Sequence, residues 1–329
     1  MCSSQKNKKN GSNRSAVLVS CVIFTLVFQM GGLERLMTSS VSEETDASQI
    51  PYTGNLRRRG KKLGDGCYHV FIDVGSNIGV HTRFLFEPDM YPDSTSSREA
   101  FAREFGYPRD NRDYCSFGFE PNPKFEQRHL DLEAAYAAMG WRYKPFMAGA
   151  SDEDGNITFY HSHLENKEWE TGFSAVTPKT LYGTDATSRT VEIVRLATWI
   201  RDEIEGRRIP TTTYSDVLKE PKVVMKLDVE GLEFKVFPDL LTTGALCNNI
   251  HFLMGEFHHQ ADNHNYYPIN LTSDGRHVLH HRKDGEQLAR EMLHMVDISE
   301  NCMTKISLQD DEAYLTDPHP YPNEIMVPS

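Results

Sequence analysis

The stretch "HVFIDVGSNIGVHTRFL", His69 to Leu85, narrows the folds open to this chain more than any other. Val70, Phe71, Ile72 and Val74 are β-branched or aromatic, so His69 to Val74 predicts a strand buried on both faces, as in a parallel sheet. Asp73 stands near its end, and Gly75, Ser76, Asn77 and Gly79 follow. Gly75 permits a tight turn, and Gly79 lets the backbone of the next helix approach a ligand or the strand. The helix N-terminus offers free N–H groups and a partial positive charge. That order predicts an α/β domain whose ligand edge lies where the strand stops, suited to the polar end of a nucleotide-like cofactor.

The rest of the chain extends the pattern. Residues 87–113, with three prolines and a Ser/Thr cluster, read as an insertion carrying one short helix at Arg98 to Phe105. "CSFGFEPNP" predicts a strand over Ser116 to Phe119 that ends at Glu120. An acid there holds a ribose in βαβ units, because one carboxylate accepts from both hydroxyls. The gap from Asp73 to Glu120 is more than twice the ~20 residues usual for dinucleotide units, and the insertion accounts for most of the excess. "HLDLEAAYAAMGW" has helical spacing, and "YKPFMAGAS" predicts a third strand ending near Asp152. "GNITFYHS" and "RTVEIVRLATWI" predict a small β excursion. "PKVVMKLDVEGLEFKVFPDLL" gives a fourth strand, Lys222 to Leu227, a turn of carboxylates, and a helix from about Leu232. "IHFLMGEFHH" is a fifth strand, and "HMVDIS" and "KISLQDDEAYL" are candidates for the last two.

A chain of 329 residues with 39% hydrophobic content has room for one large α/β domain or two small ones. Its net charge of −12 argues against nucleic acid as a partner, since phosphate-binding surfaces need clustered Lys and Arg. The first sixty residues differ from the rest. Residues 1–15 carry Lys6, Lys8, Lys9 and Arg14, the run Ala16 to Leu33 has no charge, and Glu34, Glu43, Glu44 and Asp46 follow. The positive-inside bias predicts a single-pass type II signal-anchor, a short span suited to the endoplasmic reticulum or Golgi, with the catalytic domain lumenal. A cleaved signal and a secreted product is the alternative. Residues 34–64 form a polar stem, residues 65–315 the folded domain, and residues 316–329 a C-terminal tail. Asn156-Ile157-Thr158 and Asn270-Leu271-Thr272 are glycosylation sequons. Cys67, Cys115, Cys247 and Cys302 would meet an oxidising compartment, and none has the spacing of a zinc site.

"FIDVGSNIGVHT", "FGFEPNP", "MKLDVEGLEFKVF" and "LMGEFHH", in that order, resemble the FkbM-type family of S-adenosylmethionine-dependent methyltransferases over roughly residues 65–315. The resemblance implies a class I methyltransferase fold: a Rossmann-like, seven-stranded, mostly parallel sheet of order 3-2-1-4-5-7-6 with helices on both faces. It implies that Asp73, Gly75, Ser76, Asn77 and Gly79 hold the methionine part of S-adenosyl-L-methionine, Glu120 its ribose, and that Asp152 lies near the adenine. In that topology the first two strands are neighbours. Cys67 and Cys115 then both fall near the edge opposite the cofactor, about a disulfide's reach apart. Two separate thiols, or pairing with Cys247 or Cys302, are the other outcomes.

Methyl transfer from a sulfonium is an in-line displacement, so the protein must align an acceptor and, for a hydroxyl, help remove its proton. Asp228, Glu230 and Glu233 cluster where the fourth strand ends, and Glu256 and His258 share a face at the end of the fifth. The expected base is His258, with Asp228 next, and Glu230 and Glu256 orienting the acceptor. Glu233 is also suited to capping its helix and Lys226 to pairing with a carboxylate. The histidines repeat no ligand pattern, so no metal is expected. The expected acceptor is a hydroxyl of a glycan, lipid or small molecule. Two other readings stay open: a metal-dependent glycosyltransferase using Asp152-Glu153-Asp154, and a non-catalytic binding module of the same fold.

Overall fold

A computed structural model describes residues 60–161, 187–215, 219–258, 282–308 and 317–322 of the chain. The apolar run at residues 16–33 and the second sequon lie outside them. Among the described residues no helix is long and apolar enough to cross a membrane. Asn156 of the first sequon is exposed.

In chain order the elements begin with β1 (His69–Val74), α1 (Val80–Phe86), α2 (Thr95–Phe105), β2 (Tyr114–Phe119), α3 (Glu126–Ala138), β3 (Arg142–Phe146), β4 (Gly149–Ser151) and β5 (Gly155–His161). They continue with β6 (Thr187–Arg195), α4 (Leu196–Glu203), β7 (Val223–Leu227), α5 (Glu233–Thr242), α6 (Ala245–Asn249), β8 (Phe252–Gly255), α7 (Arg282–Asp297) and β9 (Lys305–Leu308). Six strands form one sheet in the order β3-β2-β1-β7-β8-β9, with every pairing parallel.

Alternation along the central strands sends side chains into two cores. Val70, Ile72 and Val74 of β1 join Cys115, Phe117 and Phe119 of β2 and Val223, Met225 and Leu227 of β7 on one face. There they pack against Trp199 and Ile200 of α4, Phe234 and Phe237 of α5, and Met292 and Val296 of α7. Phe71 and Val224 point the other way, to Phe84 of α1, Phe101 and Phe105 of α2, and Leu132 and Tyr136 of α3. Each such side chain contributes about 1.5–3 kcal/mol on burial. Residues 87–113 are therefore anchored: Phe101 meets Phe71 edge-on, with ring centroids 4.9 Å apart.

Three readings of the sequence need correction. The sheet has six strands among the described residues, not seven, and "HMVDIS" is not a strand, because its residues end α7 or follow it. Ala289, Met292 and Val296 are buried at helical spacing, and that period outweighs the local strand formers. "YKPFMAGAS" breaks into two strands in different sheets, since β4 joins a separate three-stranded sheet of order β4-β6-β5. "RTVEIVRLATWI" changes from strand to helix at Leu196.

Two disulfides close the described cysteines, Cys67–Cys115 and Cys247–Cys302, with Cα separations of 5.6 and 4.4 Å. Val70 is the register partner of Cys115, so Cys67 reaches it from just before β1. This is the edge opposite the glycine turn, as the placement of Asp73 and Glu120 led us to expect.

Candidate active site

The parallel strands β1, β2 and β7 all stop at one edge, and their connecting turns build the site. Asp73 is fully buried in β1; burial lifts its carboxyl to about 7, and its Oδ1 has no hydrogen-bond partner. Gly75 has φ 81°, and a Cβ there would lie 1.7 Å from the Asp228 carbonyl oxygen, so only glycine lets the β1 and β7 turns meet. The N–H groups of Gly75 and Ser76 both donate to the Phe119 carbonyl, each at 3.0 Å, tying the turn to the end of β2. Ser76 Oγ turns inward to the Asp73 carbonyl at 3.3 Å. Gly79, with φ 76°, starts α1 against Leu132 and His129 of α3.

Glu120 is held in place by the turn opposite. The Asn77 N–H donates to its Oε2 and the Asn122 N–H to its Oε1, both at 2.7 Å. Burial pushes its carboxyl up to about 8, against the pull of those two bonds. Each carboxylate oxygen keeps a lone pair for a further donor. Asn77 itself has φ 48°, and its buried Oδ1 has no partner among the described residues.

Gly75, Asn77 and Glu120 line a cleft of about 530 Å³, its mouth open to solvent included, together with Phe119, Gly149, Ala150, Phe159, Asp228, Val229, Glu230 and Leu232; Asp73, Ser76 and Gly79 are not in its lining. One wall therefore comes from β4 and β5 of the second sheet. Phe119, Phe159, Ala150, Val229 and Leu232 offer apolar area to a flat ring, and sequence reasoning missed all of them. Phe119 and Val229 were findable as neighbours of the strand-end acids, whereas Phe159 carries no local signal. Asp152 is not among the lining residues; its Oδ1 accepts from Ser151 Oγ at 3.0 Å and lies 3.6 Å from Lys235 Nζ. Asp154 accepts from the Arg195 N–H at 2.7 Å. The two outer acids of Asp152-Glu153-Asp154 thus face separate partners.

Beyond the cleft lies a charged cluster. His258 Nδ1 is 2.9 Å from Glu233 Oε1, and Nε2 is 2.7 Å from Glu256 Oε1, 3.7 Å from Glu230 Oε2 and 3.8 Å from Asp228 Oδ1. Burial alone would lower the imidazole's pKa, but Glu233, Glu256 and Glu230 raise it to about 12. With a carboxylate at each ring nitrogen, the ring donates from both and stays an imidazolium at neutral pH. Glu233, fully buried, also accepts from the Val229 and Gly231 N–H groups at 2.8 and 2.9 Å, so it holds the turn before α5, rather than capping the helix, as well as contacting His258. Lys226 pairs with Asp228 Oδ2 at 2.7 Å and donates to the Gly75 carbonyl at 3.3 Å.

Glu230 differs from its neighbours. Burial, with Asp228, Glu233 and Glu256 nearby, pushes its carboxyl up to about 8 even against His258. Its φ of 52° is left-handed, a conformation that non-glycine residues hold chiefly at functional sites. Asp228, Glu230 and His258 present atoms all within 4.8 Å of one another, the spacing of a cation site. The imidazolium and the Lys226 ammonium already supply positive charge there.

A parallel sheet with a glycine turn after β1 and a ribose-competent acid after β2 defines the class of α/β domains that bind a nucleotide-like cofactor at the strand ends. Within that class, the methyltransferase FkbM domain matches residues 73–282, and the chain belongs to this family. No curated protein and no solved structure matches it.

Proposed function

We propose that the protein is an S-adenosylmethionine-dependent O-methyltransferase acting on a hydroxyl of a glycan, lipid or small molecule. The observation that carries this reading is Glu120, which lines the cleft with its carboxylate fixed by the Asn77 and Asn122 N–H groups. Asn77 Oδ1, buried and without a partner among the described residues, offers an acceptor to a polar cofactor beside Glu120. Bound there, S-adenosylmethionine would supply a methyl carbon on a sulfonium. Asp73 and the Gly75–Gly79 turn would hold its amino-acid end, and Glu120 its ribose.

The base in this proposal is Glu230. It lines the cleft and has a pKa near working pH, whereas His258 is held protonated by its carboxylates. Toward an acceptor hydroxyl placed in the cleft, Glu230 would take the proton as the hydroxyl oxygen is methylated. Asp228 and Lys226 fix the turn, and His258 with Glu233 and Glu256 balances the charge around it.

The two disulfides support the inference of a lumenal or extracellular compartment, where such bonds persist. Attachment to a membrane through residues 16–33 belongs to the same proposal.

Titration of S-adenosylmethionine into the protein tests the cofactor assignment. Glu120→Ala and Asp73→Ala should each weaken binding by about 1–3 kcal/mol. Folded variants with unchanged affinity would remove the site from Glu120 and Asp73.

A further inference from the structure

At the edge opposite the cleft, a groove with about 1050 Å³ of empty space is lined by Gly66, Arg142, Pro210, Thr212, Thr213 and Tyr214, with Arg112, Asp113 and Gly140 at its borders. It lies at the starts of β2 and β3, whereas the cofactor cleft lies at the strand ends. Tyr114–Phe119 alone separates the two by roughly 17 Å. None of the groove residues takes part in the proposed methyl transfer.

The charges around the groove are matched, with one exception. Arg112 makes a two-pronged pair with Asp110, at 2.9 and 2.5 Å, and stacks over the Tyr214 ring at 4.0 Å. Asp113 accepts from the Tyr214 N–H, the Ser215 N–H and Ser215 Oγ, so its carboxylate is engaged in holding the 214–215 segment. Arg142 has no carboxylate partner among the described residues. Its single hydrogen bond is a long one, from Nη2 to the Arg112 carbonyl at 3.4 Å. Burial lowers its pKa, the sign of a guanidinium short of water, while the Asp113 carboxylate raises it without forming an ion pair with it.

Gly66, whose φ of 80° suits a glycine, runs beside the guanidinium, and a Cβ there would lie 3.3 Å from Arg142 Nη1. The next residue, Cys67, is fixed by its disulfide to Cys115, which is itself the register partner of Arg142. Thr212 is exposed and borders the same space, and its hydroxyl makes no hydrogen bond among the described residues.

We propose that this groove binds an oxyanion, a sulfate or carboxylate, through the Arg142 guanidinium. Planar N–H donors match such groups two at a time. The groove runs on from the guanidinium to the Tyr214 ring and the Thr212 hydroxyl, so the proposed ligand carries its anion on a sugar, whose ring and hydroxyls those side chains would meet. The proposal does not rest on the methyl acceptor, because the groove lies at the opposite edge.

Direct titration of the full-length chain with a sulfated disaccharide, and separately with inorganic sulfate, tests it. Binding of the disaccharide should fall at least tenfold in Arg142→Gln and in Thr212→Glu, which sets a carboxylate in the groove at an exposed position without a hydrogen bond to lose. S-adenosylmethionine affinity should stay at the parent's value in both variants. Disaccharide bound much more tightly than sulfate identifies a glycan as the source; equal affinities identify the free anion, with the Arg142 site intact. The assignment is overturned if neither probe binds, or if both bind the two variants as they bind the parent. The latter result would move recognition to the basic run at residues 57–62.

Discussion

Glu230 combines a left-handed backbone, a carboxyl lifted to about 8 and a place on the cleft wall. The role of base proposed for it predicts that Glu230→Gln lowers methyl transfer about 100-fold or more with little change in cofactor affinity. The parent's rate should climb with pH to a plateau above about 8. A rise of the same shape in the variant would place the titrating group elsewhere. His258 predicts the opposite kind of effect. Its folded pKa, about 12, exceeds the ordinary 6.5, so its stabilisation is complete below pH 6.5 and is lost as pH rises toward 12. Denaturant titration of His258→Gln should show a loss on the order of 3 kcal/mol at pH 6, because carboxylates are left without their cation. That loss should shrink at pH 9, and equal losses at both would sink the assignment. The sequence placed all five charged groups of this cluster together. It could not rank them, because whether a histidine is free or clamped depends on Glu233 and Glu256 meeting opposite ring nitrogens.

At the scale of elements, the β1 turn is the tightest joint. Gly75→Ala would drive a Cβ into the Asp228 carbonyl, so the β1 and β7 turns would have to separate. We expect destabilisation of roughly 2–4 kcal/mol and a loss of cofactor binding, measured by denaturant midpoint and titration. An alanine variant with parental stability and affinity would show the contact to be dispensable. β1, β2, β7 and β8 were legible because strands buried on both faces need near-continuous apolar runs, and in "VFIDV" and "VVMKL" a single charged residue near the end is the one interruption. The division of "YKPFMAGAS" was not, because β4 is defined by its pairing with β6, more than forty residues away. The aromatic wall at Phe159 was hidden for the same reason: its place depends on a second sheet's docking, which leaves no trace at residue 159.

For the whole molecule, the disulfides matter most. Each closes a loop, with separations of 48 and 55 residues, and each is worth roughly 4 kcal/mol on the chain-entropy account. Replacing Cys67 and Cys115 together by serine should lower the unfolding free energy by about that amount. A double variant as stable as the parent would show that the packing of β1 on β2 suffices alone. The chain's C-terminal segment adds a further tie: Asp317, buried, pairs with Arg83 of α1 and Arg128 of α3, while Arg128 Nε donates to the Ile78 carbonyl beside the glycine turn.

The Cys247–Cys302 bond also has a meaning for how the molecule would come apart. A protease that nicks the backbone anywhere between those two cysteines leaves both pieces joined through sulfur, with β9 still attached to the body of the chain. On a gel without reductant such a cut should leave one band at the full mass, and only reductant should release the two fragments. A polypeptide clipped there in a secretory compartment would keep β9 and everything after it covalently attached, as a two-chain protein.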